Sequence, residues 1–336
     1  MGLTLSLALF ALGSTAFLAY LGYGLAKTIL PRAWHSDEGL LAPLLGYALL
    51  LLVGHYAVTT VLNLRQTLFI VLSAATVLNA LALWLRRGER LAINLKEHGW
   101  AWLLAALAFL LSIFPLLHYG YVTTIGENWD AAELYLPTAE YLVQGPVKSI
   151  ATAPPSPLRE LAADPSRTGL TLGFSVVQGV LQQLAGWDAL HSFAPTMALL
   201  RGLATLAFYL LFRRTLRLPL VPALLATALA GANGGALWVT FFNYGIQVSA
   251  MALVPLGMLF LAGALRQPSW QGVLAAGLSI AVLPISYYPA LPVFVPLAAV
   301  LGLYELAAGR RCWATLAAGL GALVTAFLLA LGPLLD

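Results

Sequence analysis

Residues 103–117 read LLAALAFLLSIFPLL. Wound as a helix, this stretch is apolar on every face, so lipid rather than water is its solvent. The apolar run extends to about residues 99–118, the roughly 20 residues that carry a helix across a hydrocarbon layer of about 30 Å. Working outward, comparable runs occupy residues 3–26, 40–62, 67–85, 190–212, 219–240, 247–265, 271–287, 290–306 and 313–333. Lipid permits only helices or closed barrels. A barrel needs short strands of alternating polarity, which runs apolar on all faces cannot supply. The expected architecture is therefore all-α, a polytopic transmembrane helical bundle of about ten spans.

Composition agrees. Hydrophobic residues make up 61% of the 336-residue chain and charged residues 9%, with a mean hydropathy of +0.88. A soluble domain carries roughly one-quarter charged residues. The net charge of +4 would suit nucleic acid, but the basic residues gather at the ends of apolar runs, where topology signals belong. Nucleic acid is thereby excluded as a partner. If the loop with Arg86, Arg87, Arg90 and Lys96 is cytoplasmic, then Lys27, Arg32, Arg213, Arg214, Arg217, Arg266, Arg310 and Arg311 fall on the same side. The N-terminus is then outside, in a membrane expected to be a bacterial plasma membrane. Met1–Ala26 is too long for a signal-peptide core and lacks a basic leading region, so it reads as a retained span. The chain stops at GPLLD (332–336), directly after a span, which leaves room for further chain. The single Cys312 excludes an internal disulfide and a cysteine metal site.

Three parts follow: four N-terminal spans (1–118), an outer loop with short juxtamembrane helices (119–189), and six C-terminal spans (190–336). The loop is where function is expected to reside. Between Tyr119 and Thr168 it carries Glu127, Asp130, Glu133, Glu140, Glu160 and Asp164 against Lys148, Arg159 and Arg167. Exposed loops are also charged merely to stay solvated. After it, Gly169–Leu184 has helical spacing but carries Gln178, Gln182 and Gln183. A crossing here would put Arg213 and Arg214 outside, so the segment is expected to lie along the outer membrane surface.

Three constellations could carry chemistry. Asp130, in GENWDAAELYLPTAEYLVQG (126–145), sits soon after the fourth span, where a carboxylate can take a proton or bind a metal. Asp130 and Glu133 also have capping-box spacing, which needs no function. Arg201 lies about 18 Å along its helix from the Arg213–Arg214 end. A cation that deep is either paired, in a wet cavity, or bonded to helix carbonyls. Asn243, Tyr244, Gln247, Tyr287 and Tyr288 gather at outer ends of later spans, where aromatics also form the interfacial belt. No span holds two histidines, which argues against haem, and phosphate-loop and HExxH motifs are absent.

From the fourth span to Leu216, the order of features resembles the GT-C superfamily of membrane glycosyltransferases, which use polyprenyl-phosphate sugars as donors. The matching features are Asp130 in the first outer loop, a short helix ending at Gly145, Pro154-Pro155, and the turn Ala185-Gly186-Trp187-Asp188. A span with internal Arg201 and terminal Arg213-Arg214 follows. Departures are the alanines after Asp130, where the family commonly has an Asp-Glu pair, and Asn243 and Tyr244, where many members carry an acid. Three spans also precede the matching one, and no soluble C-terminal domain is seen. The resemblance implies sugar transfer from a lipid phosphate to a hydroxyl or amine at the outer face. Asp130 would act as base or as ligand to a divalent cation, with Glu133 as its nearest substitute. Arg201 or Arg167 would balance the lipid phosphate through paired guanidinium donors.

Two other classes compete. A non-catalytic scaffold or accessory subunit, binding lipid or partner membrane subunits, suits the many Gly and Ala residues. A transporter would want discontinuous helices at mid-depth in both halves, and Pro284 is the one hint of that. A cavity joining Asp130 to Arg201 would favour the enzyme.

Overall fold

The computed structural model describes residues 2–85, 95–125, 131–151, 154–162, 172–308 and 312–335. Among these, every regular element is helical. Long helices are α1 (Leu3–Ile29), α2 (Glu38–Thr60), α3 (Leu64–Leu85) and α4 (Leu95–Tyr119). The loop then holds α5 (Leu136–Gln144), α6 (Pro157–Ala162) and α7 (Leu172–Ala185). The second half comprises α8 (Ala189–Leu210), α9 (Leu220–Ala232), α10 (Gly234–Phe241) and α11 (Gly245–Arg266). It ends with α12 (Trp270–Tyr287), α13 (Leu291–Ala307) and α14 (Cys312–Leu335).

Local chemistry marks many of the helix ends. Asn63 Oδ1 accepts from Gln66 N at 3.0 Å while Gln66 Oε1 accepts from Asn63 N at 3.1 Å, a reciprocal box that opens α3. Asp188, Asn233 and Ser269 cap α8, α10 and α12 through their side chains. Gly120 and Gly186 close α4 and α7 at φ +75° and +66°, the left-handed conformation that costs glycine little.

Nine helical stretches among the described residues are long and apolar enough to cross a membrane, and one of them, Trp270–Ala307, spans 38 residues. That stretch is two legs. Arg266, just before Trp270, pairs with Glu305 at 2.6 Å, so both ends of the stretch lie at the same end of the bundle. The chain reverses at Tyr287–Ala290, where Tyr287 is extended. Among the described residues ten candidate crossings result.

Helices α2, α8 and α11 form the buried centre, while α3, α9, α13 and α14 present residues such as Phe69, Leu229, Val300 and Phe327 outward. Lipid tails are as apolar as leucine, so tight packing rather than water exclusion holds such helices together. At the α1–α2 crossing, a Cβ on Gly46 would fall within 2.9 Å of the Gly22 amide nitrogen, besides meeting the Leu18 carbonyl. Only hydrogen side chains permit that approach.

One end of the bundle is laced by ion pairs. Lys27 meets Glu38 at 2.5 Å, Arg213 meets Glu97 at 2.5 Å and Arg214 meets Asp37 at 2.6 Å. His98 Nε2 also reaches Asp37 at 3.2 Å, and Arg266 donates to the Thr215 carbonyl as well as to Glu305. The basic residues at this end therefore do more than orient the chain, since they lock α1, α2, α4, α8, α11 and α13 together. The signal in sequence was an acid at the matching end of the neighbouring run.

Candidate functional site

The opposite end carries the loop elements. A 3-10 turn (Tyr121–Ile125) follows α4, and a π-helical turn (Ala131–Tyr135) leads into α5. Helix α7 is the element on which this end is built. Sequence patterning expects it along the outer membrane surface and not crossing; in the structure Leu172–Gln182 are buried, packed against α2, α5, α8 and α12. At 14 residues it is about 21 Å long, too short to cross. Two of its glutamines are buried against protein. Gln178 donates to the Ala189 carbonyl at 2.8 Å and Gln182 to Glu140 at 3.2 Å, which engages NH2 groups that periodicity alone assigns to a wet face, while half-buried Gln183 donates back to the Gly179 carbonyl.

The first turn of α7 is wedged between two segments expected to hold site residues. A Cβ on Gly173 would lie 2.9 Å from the Ser286 Cα at the end of α12. A Cβ on Gly245, at the start of α11, would lie 2.8 Å from the Phe174 ring. Beneath, Ser286 donates to Ser249 at 2.6 Å, and Tyr47 bonds Ser249 in turn. The elements bearing Asn243, Tyr244, Gln247 and Tyr287 thus share one neighbour. Asn243 is buried in a left-handed conformation (φ +60°), and its Nδ2 donates to the Thr123 carbonyl at 3.4 Å. Tyr244 packs its ring 5.4 Å from Trp238. Gln247 Oε1 is buried and meets no protein donor among the described residues. Tyr287 is half-buried and Tyr288 exposed. Glu133 is half-buried on the π turn. Asp130 and Arg167 lie outside the described residues.

Arg201 does not join this group. It is 1% exposed, and its Nη2 donates to the Gly231 carbonyl while Nη1 lies 3.0 Å from Met251 Sδ. Nε has no partner among the described residues. Gly231 lies in the last turn of α9, before the break at Asn233, where helix carbonyls are left unpaired and the dipole is negative. The guanidinium thus caps a broken helix, the carbonyl-bonded alternative weighed from sequence. The expected cavity joining it to the loop is not met, because the side chain is sealed.

A pair that sequence reasoning passed over sits at the same end. Asp188 accepts from the His191 backbone N–H at 2.8 Å and contacts its imidazole Nδ1 at 2.7 Å, with Tyr121 edge-on to that ring at 4.5 Å. Partial burial works against the Asp188 carboxylate, but the two His191 contacts outweigh it and hold its pKa below the usual range. Burial, then the nearby Asp188 charge, pushes the Tyr121 hydroxyl up. The three-residue spacing of Asp188 and His191 was the available signal, and its first meaning is a helix cap.

Among the described residues no three His, Cys, Asp or Glu side chains converge to hold a metal ion. No family model, curated protein or solved structure matches this chain.

Proposed function

We propose that the chain is a GT-C-like transferase that moves a sugar from a polyprenyl-phosphate donor to a hydroxyl or amine acceptor. The reaction would take place at the bundle end opposite the ion pairs, read as the outer face of a plasma membrane, and the clustering of basic residues at the other end supports that orientation. The observation that carries this reading is α7. It wedges between α11 and α12 and packs on α5 of the loop, at the bundle end that holds Asn243 and the buried Gln247 Oε1, which meets no donor among the described residues. Asp130 would be base or cation ligand, with Glu133 beside it in sequence. Because Arg201 is committed to Gly231, the donor phosphate would be met by Arg167 instead.

A second reading rests on one observation. A sealed Arg201 is what a non-catalytic scaffold, binding lipid or partner subunits, would also have. The two separate in a transfer assay on the purified chain in nanodiscs with polyprenyl-phosphate sugars. Wild type should turn the donor over, and Asp130→Asn should lose at least about 100-fold with unchanged melting, the usual scale for a general base. Full activity in Asp130→Asn, or no donor turnover by wild type, would leave the scaffold.

A further inference from the structure

Helices α9 and α10 are two halves of one crossing, packed on α8, α4 and α11. Gly231 lies about 17 Å along the helix from Leu220 and about 15 Å short of Phe241, so the break between the halves falls near the middle of a hydrocarbon layer about 30 Å thick. The break is open on its outward side: Ala232, Asn233, Gly234 and Gly235 are exposed, and a Cβ on Gly234 meets nothing within 4 Å. Irregular backbone at that depth is tolerated only where protein or water covers it. Asn233 answers part of the need, since its Oδ1 accepts from Ala236 N and its Nδ2 donates to the Ala230 carbonyl, both at 2.8 Å. For the N–H groups of Gly234 and Gly235, which open α10, the helix itself supplies no acceptor. Behind the break stands Arg201, 1% exposed, with one guanidinium nitrogen on the Gly231 carbonyl and Nε unpartnered among the described residues. All 13 Asp and Glu residues of the chain lie at or beyond the ends of its apolar runs, so no span of this chain, nor of a second copy, places a carboxylate at that depth.

We propose that the α9–α10 break docks a partner membrane helix that carries one Asp or Glu near its midpoint. Charge complementarity selects this occupant. The break combines the Arg201 cation with the positive N-terminal end of α10, against only the negative end of α9. A carboxylate accepting from the Gly234 and Gly235 N–H groups would close the open backbone and offset Arg201 across Gly231, where attraction between buried charges is little screened. Only a span delivers a carboxylate to that depth, because the charged head of an anionic lipid stays in the interfacial layer. Leu225 and Leu229, one and two turns before Asn233, and Trp238, one turn after Gly234, are exposed and share its face, which gives the rest of the partner helix an apolar track. This surface is separate from the proposed transfer site and does not depend on it.

The test is photocrosslinking of the purified chain in nanodiscs by synthetic membrane-spanning peptides of leucine and alanine. Each carries a photoreactive leucine one turn from a central Asp, Asn or Leu, and a further peptide has its Asp two turns off centre. Crosslinks of the central-Asp peptide should concentrate on residues 225–238 and exceed those of the other peptides by about tenfold, the scale of one hydrogen bond to a charged group. Gly234→Leu, which extends a side chain into the open space, should lower crosslinking by about tenfold while the melting temperature holds or rises. Arg201→Met should cut the preference for Asp over Leu to about twofold or less, since the buried charge is gone. Equal crosslinking by the central Asn or Leu peptide or by the off-centre Asp peptide would overturn the proposal. So would crosslinks spread over other lipid-facing helices, or an unchanged Asp preference in folded Arg201→Met. The peptides are compared on the wild-type chain, so that comparison decides even where a variant fails to fold.

Discussion

Replacing Arg201 by methionine asks whether the buried cation is structural or reads a ligand. Three terms are set by its surroundings. Removing the charge from mid-membrane recovers about 2.5–3.5 kcal/mol on insertion scales. The Gly231 carbonyl loses its donor, at about 1–3 kcal/mol for a buried unsatisfied group. Methionine keeps most of the packed volume, so repacking adds about 1 kcal/mol. The terms nearly cancel, and Arg201→Met should lie within about 2 kcal/mol of wild type. Arg201→Ala leaves a hole as well and should cost a further 2–5 kcal/mol or so. Tryptophan-fluorescence melting at a fixed scan rate reads this, at roughly 2 °C per kcal/mol. Donor turnover should be untouched in the methionine variant. A methionine variant as unstable as the alanine one would refute the charge argument, and one that melts normally yet loses turnover would show that Arg201 meets substrate.

Glu305→Gln should be strongly destabilising, by about 3–5 kcal/mol, because it leaves Arg266, only 15% exposed, without its acid; a melting shift of a degree or less would argue against a locked α11–α13 pair. The Asp188 carboxylate is held below its usual range by His191, so its stabilisation is present above the unfolded value of about 3.9 and is lost as pH falls through the lower folded value. Asp188→Asn keeps the cap but should flatten the melting-temperature decline below about pH 4, and parallel curves for the two proteins would sink this assignment. In a Cys312→Ser background, Ser156→Cys should react with an impermeant maleimide from outside, and Leu216→Cys only after permeabilisation. Reaction of both from one side would overturn the orientation and the proposed site with it.

What was legible in the sequence is what local physics decides. Span lengths follow from the reach of a helix across hydrocarbon, which is why ten crossings could be placed before any contact was known. The gathering of Lys27, Arg213, Arg214 and Arg266 at one end is likewise a one-dimensional signal. The caps at Asn63, Asp188, Asn233 and Ser269 depend on residues three positions away, and the turn at Gly186-Trp187-Asp188 can be read as a helix boundary.

Other features depend on groups distant in the chain. Arg201 is one residue type at one depth whether it faces a cavity, an acid or a carbonyl, and only the break in α9–α10, 30 residues on, supplies Gly231. Helix α7 has three glutamines, which periodicity assigns to a wet surface. Glu140 and the Ala189 carbonyl receive two of them instead, which lets that face of the helix be buried against protein. For the acids that meet the basic end, Asp37, Glu38, Glu97 and Glu305, the sequence shows only that they stand at run ends and not which base each meets, because ion pairing requires helix ends to meet in space. A cavity of about 630 Å³ lined by residues of α1, α2, α3 and α4 has no sequence signal at all. It exists because α3 and α4, adjacent in the chain, pack on different partners, and packing choice is a property of the assembled bundle and not of any single span.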